Sequence, residues 1–347
     1  MSANPESVNK QNTCKLPDIW KEAIDVDDFI KMELPKRPMI LAPWLRKSSL
    51  VMVYAYRGVG KTWFALSIAL SITTGAPIGS WGRETPTGVL YVDGEMAADE
   101  MQENIKSLSA TLPPRSAQFK ILSSDLLHQN NFSSVNISQL EWRKQIEDAL
   151  SSQNEIGVLI LDNLSCLSPG TEENDKNAFD VISQWMIGLR HKGITVILLH
   201  HAGKGGDQRG TSGREDALDI VIKLTRPPGH KPSDGAKVIV SFEKSRGVYG
   251  SGISDFTFSL GDDEEGNLIW LTDVPISSSN KEEIIALLGE GKTPNEIMVI
   301  VGGSKQNISK HKQWAVERGY LFENIKTRRI SFTEIGQKKY AAYITDI

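Results

Sequence analysis

The sequence predicts an α/β fold: a mostly parallel sheet with helices on both faces, antiparallel strands at one edge, and a small separate unit behind it. Three observations predict it. Apolar runs and helical stretches alternate strictly between residues 49 and 200, the pattern of repeated strand–helix crossovers. After His201 strand-like runs follow one another without long helices between them. A polar stretch, DVPISSSN at 273–280, then reads as a linker, and helical periodicity returns over 281–347.

In chain order, residues 1–19 read as a flexible leader. A short amphipathic piece runs from Trp20 to Met32. Pro35, Pro38 and Pro43 then break helix and predict an extended arm to residue 47. The main body is expected over 48–272. Strands are predicted at 49–54, 87–93, 118–123, 157–162 and 194–200, with helices at 60–74, 97–110, 140–152 and 177–191. A charged, glycine-rich loop, GKGGDQRGTSGRED, follows His201. Strand-like segments come next at 217–225, 236–243, 254–260 and 267–272.

Composition narrows the class. The 347 residues suffice for roughly two domains. With 39% hydrophobic and 24% charged residues the chain is not mainly disordered. No stretch approaches the ~18 apolar residues of a membrane span. The segment MSANPESVNKQNTC lacks a signal peptide's apolar core. Cys14 and Cys166 are the only cysteines, which excludes a disulfide framework and a multi-cysteine zinc site. A cytoplasmic protein without a membrane partner is expected. Net charge is −4 but uneven. Residues 276–347 carry 11 Lys+Arg against 8 Asp+Glu, so a basic end sits on an acidic body.

The strongest motif is SSLVMVYAYRGVGKTWFALSIAL. An apolar strand ends at Ala55, a loop follows, and Lys61-Thr62 opens a helix: the strand–loop–helix context of a phosphate-binding loop. Backbone N–H groups ahead of a helix N-terminus cradle phosphate oxygens. Ala55, Arg57, Gly58, Val59, Gly60, Lys61, Thr62 and Trp63 are therefore the predicted nucleotide contacts. Gly58 and Gly60 supply unusual dihedrals, Lys61 reaches the outer phosphates of ATP, and the Thr62 hydroxyl holds Mg²⁺. The usual motif begins with Gly where this chain has Ala55, which requires a negative φ there.

Such a loop needs carboxylates. The run IGVLILDNLS ends an apolar strand in Asp162, the Walker B form, as second magnesium ligand. Asn163 follows it, so the base that activates water lies elsewhere. VLYVDGEM offers Glu95, with Asp93 in reserve.

A glutamate on the second strand, Walker B without an adjacent Glu, and a later strand ending in His resemble the layout of the RecA/DnaB P-loop ATPase superfamily. More narrowly, residues ~30–272 resemble its RepA-like branch, the plasmid and phage replicative helicase ATPases. The carrying segments are APWLRKSSLVMVYAYRGVGKTWFALSIAL, GVLYVDGEM, LILDNLSCLSPGTEENDKNAF and VILLHHAGK. The resemblance implies a RecA-like core and a γ-phosphate sensor at the His200-His201 pair, with His201 chosen. It implies an arginine finger acting across a subunit interface, either Arg209 in RGTS or the Lys244/Arg246 pair in FEKSRG. A finger implies a homo-oligomer, with a six-subunit ring among the forms it allows. Ring helicases of this superfamily place DNA contacts in the loops after Asp162 and His201. Here the first carries Glu172, Glu173 and Asp175, and the second Lys204 and Arg209.

Residues 281–347 read as a winged helix-turn-helix. KEEIIALLGEG forms a first helix and Thr293-Pro294 starts a second. Gly302-Gly303 turns into SKQNISKHKQWAVERG. Tyr320–Phe322 and Arg329–Phe332 form the wing, and a helix at 334–344 closes the unit. Recognition-helix residues Lys305, Gln306, Asn307, Ser309 and Lys310 face a DNA groove in this reading. Lys326, Arg328 and Arg329 on the wing suit phosphates.

The function expected is an ATP-hydrolysing RepA-like motor acting on DNA, an oligomeric helicase in plasmid or phage replication. The alternative is a nucleotide-switched DNA-binding regulator without unwinding. A small-molecule kinase, which the phosphate loop alone would allow, lacks an obvious lid or acceptor site.

Overall fold

The computed structural model describes residues 17–347 except 79–80, 83, 171–175, 203–215, 228–229, 231–234, 249–252, 254, 263–267, 274–280, 302–304, 325–326, 328 and 345–347. Residues up to Arg37 form one unit and Pro38–Ile347 another. The first unit holds α1 (Ile19–Glu22) and α2 (Val26–Lys31), each capped by an aspartate, Asp18 and Asp25. Neither helix buries a residue. Caps satisfy the first amides, but helices this short gain little from propensity alone. The single piece expected over Trp20–Met32 is thus two helices.

In the second unit, β1 (Met39–Leu41) and β2 (Leu45–Arg46) form a hairpin that the sequence reading missed. Residues 38–47, expected in the arm, belong to the body. Ile40, Leu41, Trp44 and Leu45 are buried in its main core cluster. The prolines misled because they break helix without preventing burial. Apolar side chains lie between them and find the sheet.

The main sheet runs β11-β10-β9-β8-β3-β7-β6-β4-β5. Its parallel half is β3 (Leu50–Ala55), β4 (Gly88–Asp93), β5 (Phe119–Ser123), β6 (Ile156–Asp162), β7 (Thr195–His201) and β8 (Ile220–Thr225). The antiparallel extension is β9 (Lys237–Ser245), β10 (Phe256–Asp262) and β11 (Leu268–Asp273). This is the expected fold class, with strand ends within a few residues of those predicted.

Alternation along the strands sends side chains to two cores. Val51, Val53 and Ala55 join Ile160, Ile197 and Leu199 beneath α3 (Lys61–Thr74) and α4 (Ala98–Ser109). Leu50, Met52 and Tyr54 join Leu159, Leu161 and Leu198 beneath α6 (Leu140–Ser152) and α8 (Lys176–His191). Both faces are covered, as strands buried on both sides require. Two short helices, α5 (Ser124–Gln129) and α7 (Leu164–Leu167), were not predicted. Among the described residues no helix is long and apolar enough to cross a membrane.

The C-terminal segment comprises α9 (Lys281–Gly289), α10 (Pro294–Val301), α11 (Lys305–Glu317), the hairpin β12 (Leu321–Glu323) and β13 (Ile330–Phe332), and α12 (Glu334–Ile344). It has its own core, including Ile284, Leu288, Ile297, Ile308, Leu321 and Tyr340. Thr293 and Glu296 form a reciprocal capping box at the start of α10. The Thr293 amide donates to the Glu296 carboxylate at 2.7 Å, and the Glu296 amide returns a 3.3 Å bond to the Thr293 hydroxyl. Lys312, a charged residue on the packed side of α11, is held by Glu323 of β12 at 2.9 Å.

Candidate active site

The site follows from which strand ends the sheet brings together. β7 lies between β3 and β6, and β4 lies beyond β6. The register aligns Ala55 with His201 and Asp93 with Asp162. The phosphate loop, the Walker B aspartate, the histidine end of β7 and the second-strand carboxylates therefore emerge at one edge.

Between Ala55 and Lys61 the chain turns through Gly58 (φ 71°) and Gly60 (φ 108°), a left-handed region that side-chain-bearing residues avoid. Ala55 is absent from the positive-φ residues, so the missing first glycine of the motif costs no strain. Gly60 is the N-cap of α3 and offers no side-chain cap bond. The first amides of a 14-residue helix are thus left for a ligand. Val59 is buried in the core cluster, so of the predicted contacts it can offer only backbone. Arg57, Gly58, Gly60, Lys61, Thr62 and Trp63 line a cleft of about 480 Å³ together with Glu95, Met96, Ala97, Glu100 and His201.

Lys61 is buried, which pushes its pKa below the ordinary lysine value, while Asp162 and Glu95 pull it back up. Its Nζ lies 3.4 Å from the carbonyls of Ala55 and Tyr56 and 3.0 Å from Nδ1 of His201. The carbonyl contacts are long for hydrogen bonds, so the ammonium is weakly committed to its own loop. A lysine ammonium only donates. Nδ1 of His201 therefore accepts, which assigns the ring proton to Nε2. That nitrogen is 3.8 Å from Oε2 of Glu95. Of the histidine pair, His201 is the one turned to the cleft. His200 pairs in register with Tyr54 instead.

Glu95 lines the cleft and is half-exposed, whereas Asp93 is 1% exposed and does not line it. Asp93 accepts the Met96 amide at 3.1 Å. Burial, and then the neighbouring Asp162 charge, push its pKa up to about 7. This separates the two carboxylates: Glu95 can meet a water, and Asp93 belongs to the interior. Asn163, given no role from sequence, donates its side-chain amide to Glu95. It also caps α7 by accepting the Cys166 amide at 3.2 Å. Asn163 thus orients the Glu95 carboxylate, and the His201 ring lies 3.8 Å from it.

Asp162 is buried, which raises its pKa, while hydrogen bonds from Tyr91 and Thr62 oppose the rise. Its Oδ1 has no hydrogen-bond partner among the described residues. A buried, unpartnered oxygen on a carboxylate that also interacts with the Thr62 hydroxyl fits a hydrated divalent cation. Thr62 and Asp162 would hold magnesium. Bound there, the ion would neutralise phosphate charge.

Arg226, outside every predicted motif, donates to the Gly58 carbonyl at 2.6 Å. Arg209 lies outside the described residues. Arg246 donates to the Asp216 carbonyl at 2.7 Å, and Lys244 lies two residues before it on β9; neither lines the cleft of its own chain. Among the proposed DNA contacts, Ser309, Lys310 and Arg329 are exposed. Lys305, Gln306 and Asn307 lie in α11 with side chains outside the described set, as are Lys326 and Arg328 entirely.

Two archaeal structures are similar in part. The flagellar accessory protein FlaH from Methanocaldococcus jannaschii is 14% identical, with a TM-score of 0.45 over 73% of this chain and 97% of that one. A KaiC-like protein from Pyrococcus horikoshii is 15% identical, with a TM-score of 0.44 over 69% and 99%. Residues 10–207, more than half the chain, match the AAA domain family. With its phosphate loop, Walker B aspartate and strand order in place, the chain belongs to the AAA domain family of P-loop ATPases.

Proposed function

We propose that the chain is an ATP-hydrolysing motor of the RepA-like kind that acts on DNA as a homo-oligomer, in plasmid or phage replication. One observation carries the hydrolytic part. Lys61, Thr62, Glu95 and His201 line one cleft, and Asp162 is close enough to Thr62 and Lys61 to feel both. The glutamate is the general base toward water, and Lys61 with the loop amides takes the charge that develops on phosphate. Arg209 or the Lys244/Arg246 pair is assigned the finger, acting on a neighbouring subunit's nucleotide. The reading as a DNA-acting protein is supported by the resemblance of residues ~30–272 and by the basic C-terminal segment.

The regulator reading is favoured by one feature: 281–347 has a hydrophobic core of its own, suited to a site-selecting module. Purified full-length chain should hydrolyse ATP only with Mg²⁺, faster with single-stranded DNA, and displace a strand from a forked duplex. Lys61→Ala should stop both. Turnover without displacement, together with site-specific duplex binding that survives Lys61→Ala, selects the regulator. No turnover of any nucleoside triphosphate removes both readings.

A further inference from the structure

The two oxygens of Asp162 have different surroundings. Oδ2 accepts the Tyr91 hydroxyl at 2.6 Å, whereas Oδ1 has no partner among the described residues. Tyr91 sits on β4, the strand next to β6, and its ring is fully buried in the main core cluster. A phenylalanine would fill such a place without bringing in a polar atom. Burying a hydroxyl is costly unless it is bonded, and the partner of this one is a carboxylate.

We infer that Tyr91 is a positioning residue for the magnesium site: by holding Oδ2 it fixes the Asp162 side-chain torsion and presents Oδ1 to the metal's water shell. This rests on the nucleotide reading above. A carboxylate is nearly two-fold symmetric about its last torsion and turns easily when nothing holds it. A strong donor on one oxygen breaks that symmetry, and a phenol–carboxylate bond is among the stronger ones in a dry interior. Partners of this kind, one step removed from the metal, typically carry tenfold to hundredfold of metal affinity.

The test is Tyr91→Phe in the full chain, read with a fluorescent ATP analogue rather than by turnover. The analogue's affinity is measured in EDTA, and the Mg²⁺ concentration giving half-maximal metal-dependent tightening is measured separately. The expected result is a midpoint raised about tenfold or more, with affinity in EDTA unchanged. An unchanged midpoint overturns the inference, as does an equal loss with and without metal, which marks a purely structural bond. Should Y91F not fold, 3-fluorotyrosine at this position keeps ring and hydroxyl but donates more strongly. The midpoint should then fall, and one that stays put or rises is equally fatal. Wild-type chain that takes up the analogue under neither condition fails the nucleotide reading itself, and this inference with it.

Discussion

Lys61 Nζ and His201 Nδ1 lie 3.0 Å apart, joining the start of the phosphate-loop helix to the end of β7. The contact exists because β7 runs directly beside β3. The far side of the same imidazole faces Glu95 at 3.8 Å. One ring therefore lies between Lys61 and Glu95. Replacing His201 by Ala should lower kcat roughly tenfold to hundredfold, while nucleotide affinity stays within about threefold. Steady-state kinetics beside equilibrium binding separates the two, and a wild-type kcat would remove His201 from the mechanism.

Glu95→Gln keeps the shape of the side chain and loses its basicity. ATP should still bind, while hydrolysis falls by about 10²–10⁴-fold. Equal losses in binding and turnover would instead make Glu95 a structural element of the cleft.

Asp93 links the site to pH. Its folded pKa is about 7, well above the ordinary aspartate value. Between about pH 4 and 7 the folded chain holds a proton that the unfolded chain has released. Stability therefore falls as pH rises through that window, and levels off above it. Asp93→Asn keeps an acceptor for the Met96 amide and removes the charge. The variant should be more stable than the parent at pH 8, by up to about 4 kcal/mol, with the gap closing toward pH 4. Urea melts at both pH values check this, and parallel curves would contradict the assignment.

Trp44 tests where the body begins. Its indole is fully buried, 5.2 Å from the Trp81 ring and 5.9 Å from Phe242. Truncation to Ala should cost about 3–5 kcal/mol. If residues 38–47 were a detached arm, the melting curve would hardly move.

Much of the site was readable from residue order, and for local reasons. A phosphate loop is a contiguous strand–turn–helix whose glycines and Lys-Thr pair act through neighbouring backbone. Asp162 and His201 each end an apolar run, and the end of a buried strand is where a polar residue can reach a cleft. Asn163, Tyr91 and Arg226 could not be found that way. Each acts on a residue distant in sequence: Asn163 on Glu95, Tyr91 on Asp162, Arg226 on Gly58. In VLYVDGEM residue order put Glu95 ahead and kept Asp93 in reserve. Their exposure separates them, and exposure depends on what packs above the strand.

Hydrophobic periodicity, together with the glycines and Lys-Thr pair of the phosphate loop, determined the alternating strands and helices, that loop and the presence of a second helical segment. These are near-neighbour properties, encoded within windows of about ten residues. Strand order was decided only by the tertiary structure. By placing β7 between β3 and β6, it put an imidazole between a lysine and a glutamate, and it turned a proline-broken lead-in toward the core. The physical reason is that pairing between distant strands and burial of apolar area are settled by the whole chain at once, while helix and strand propensity act one stretch at a time.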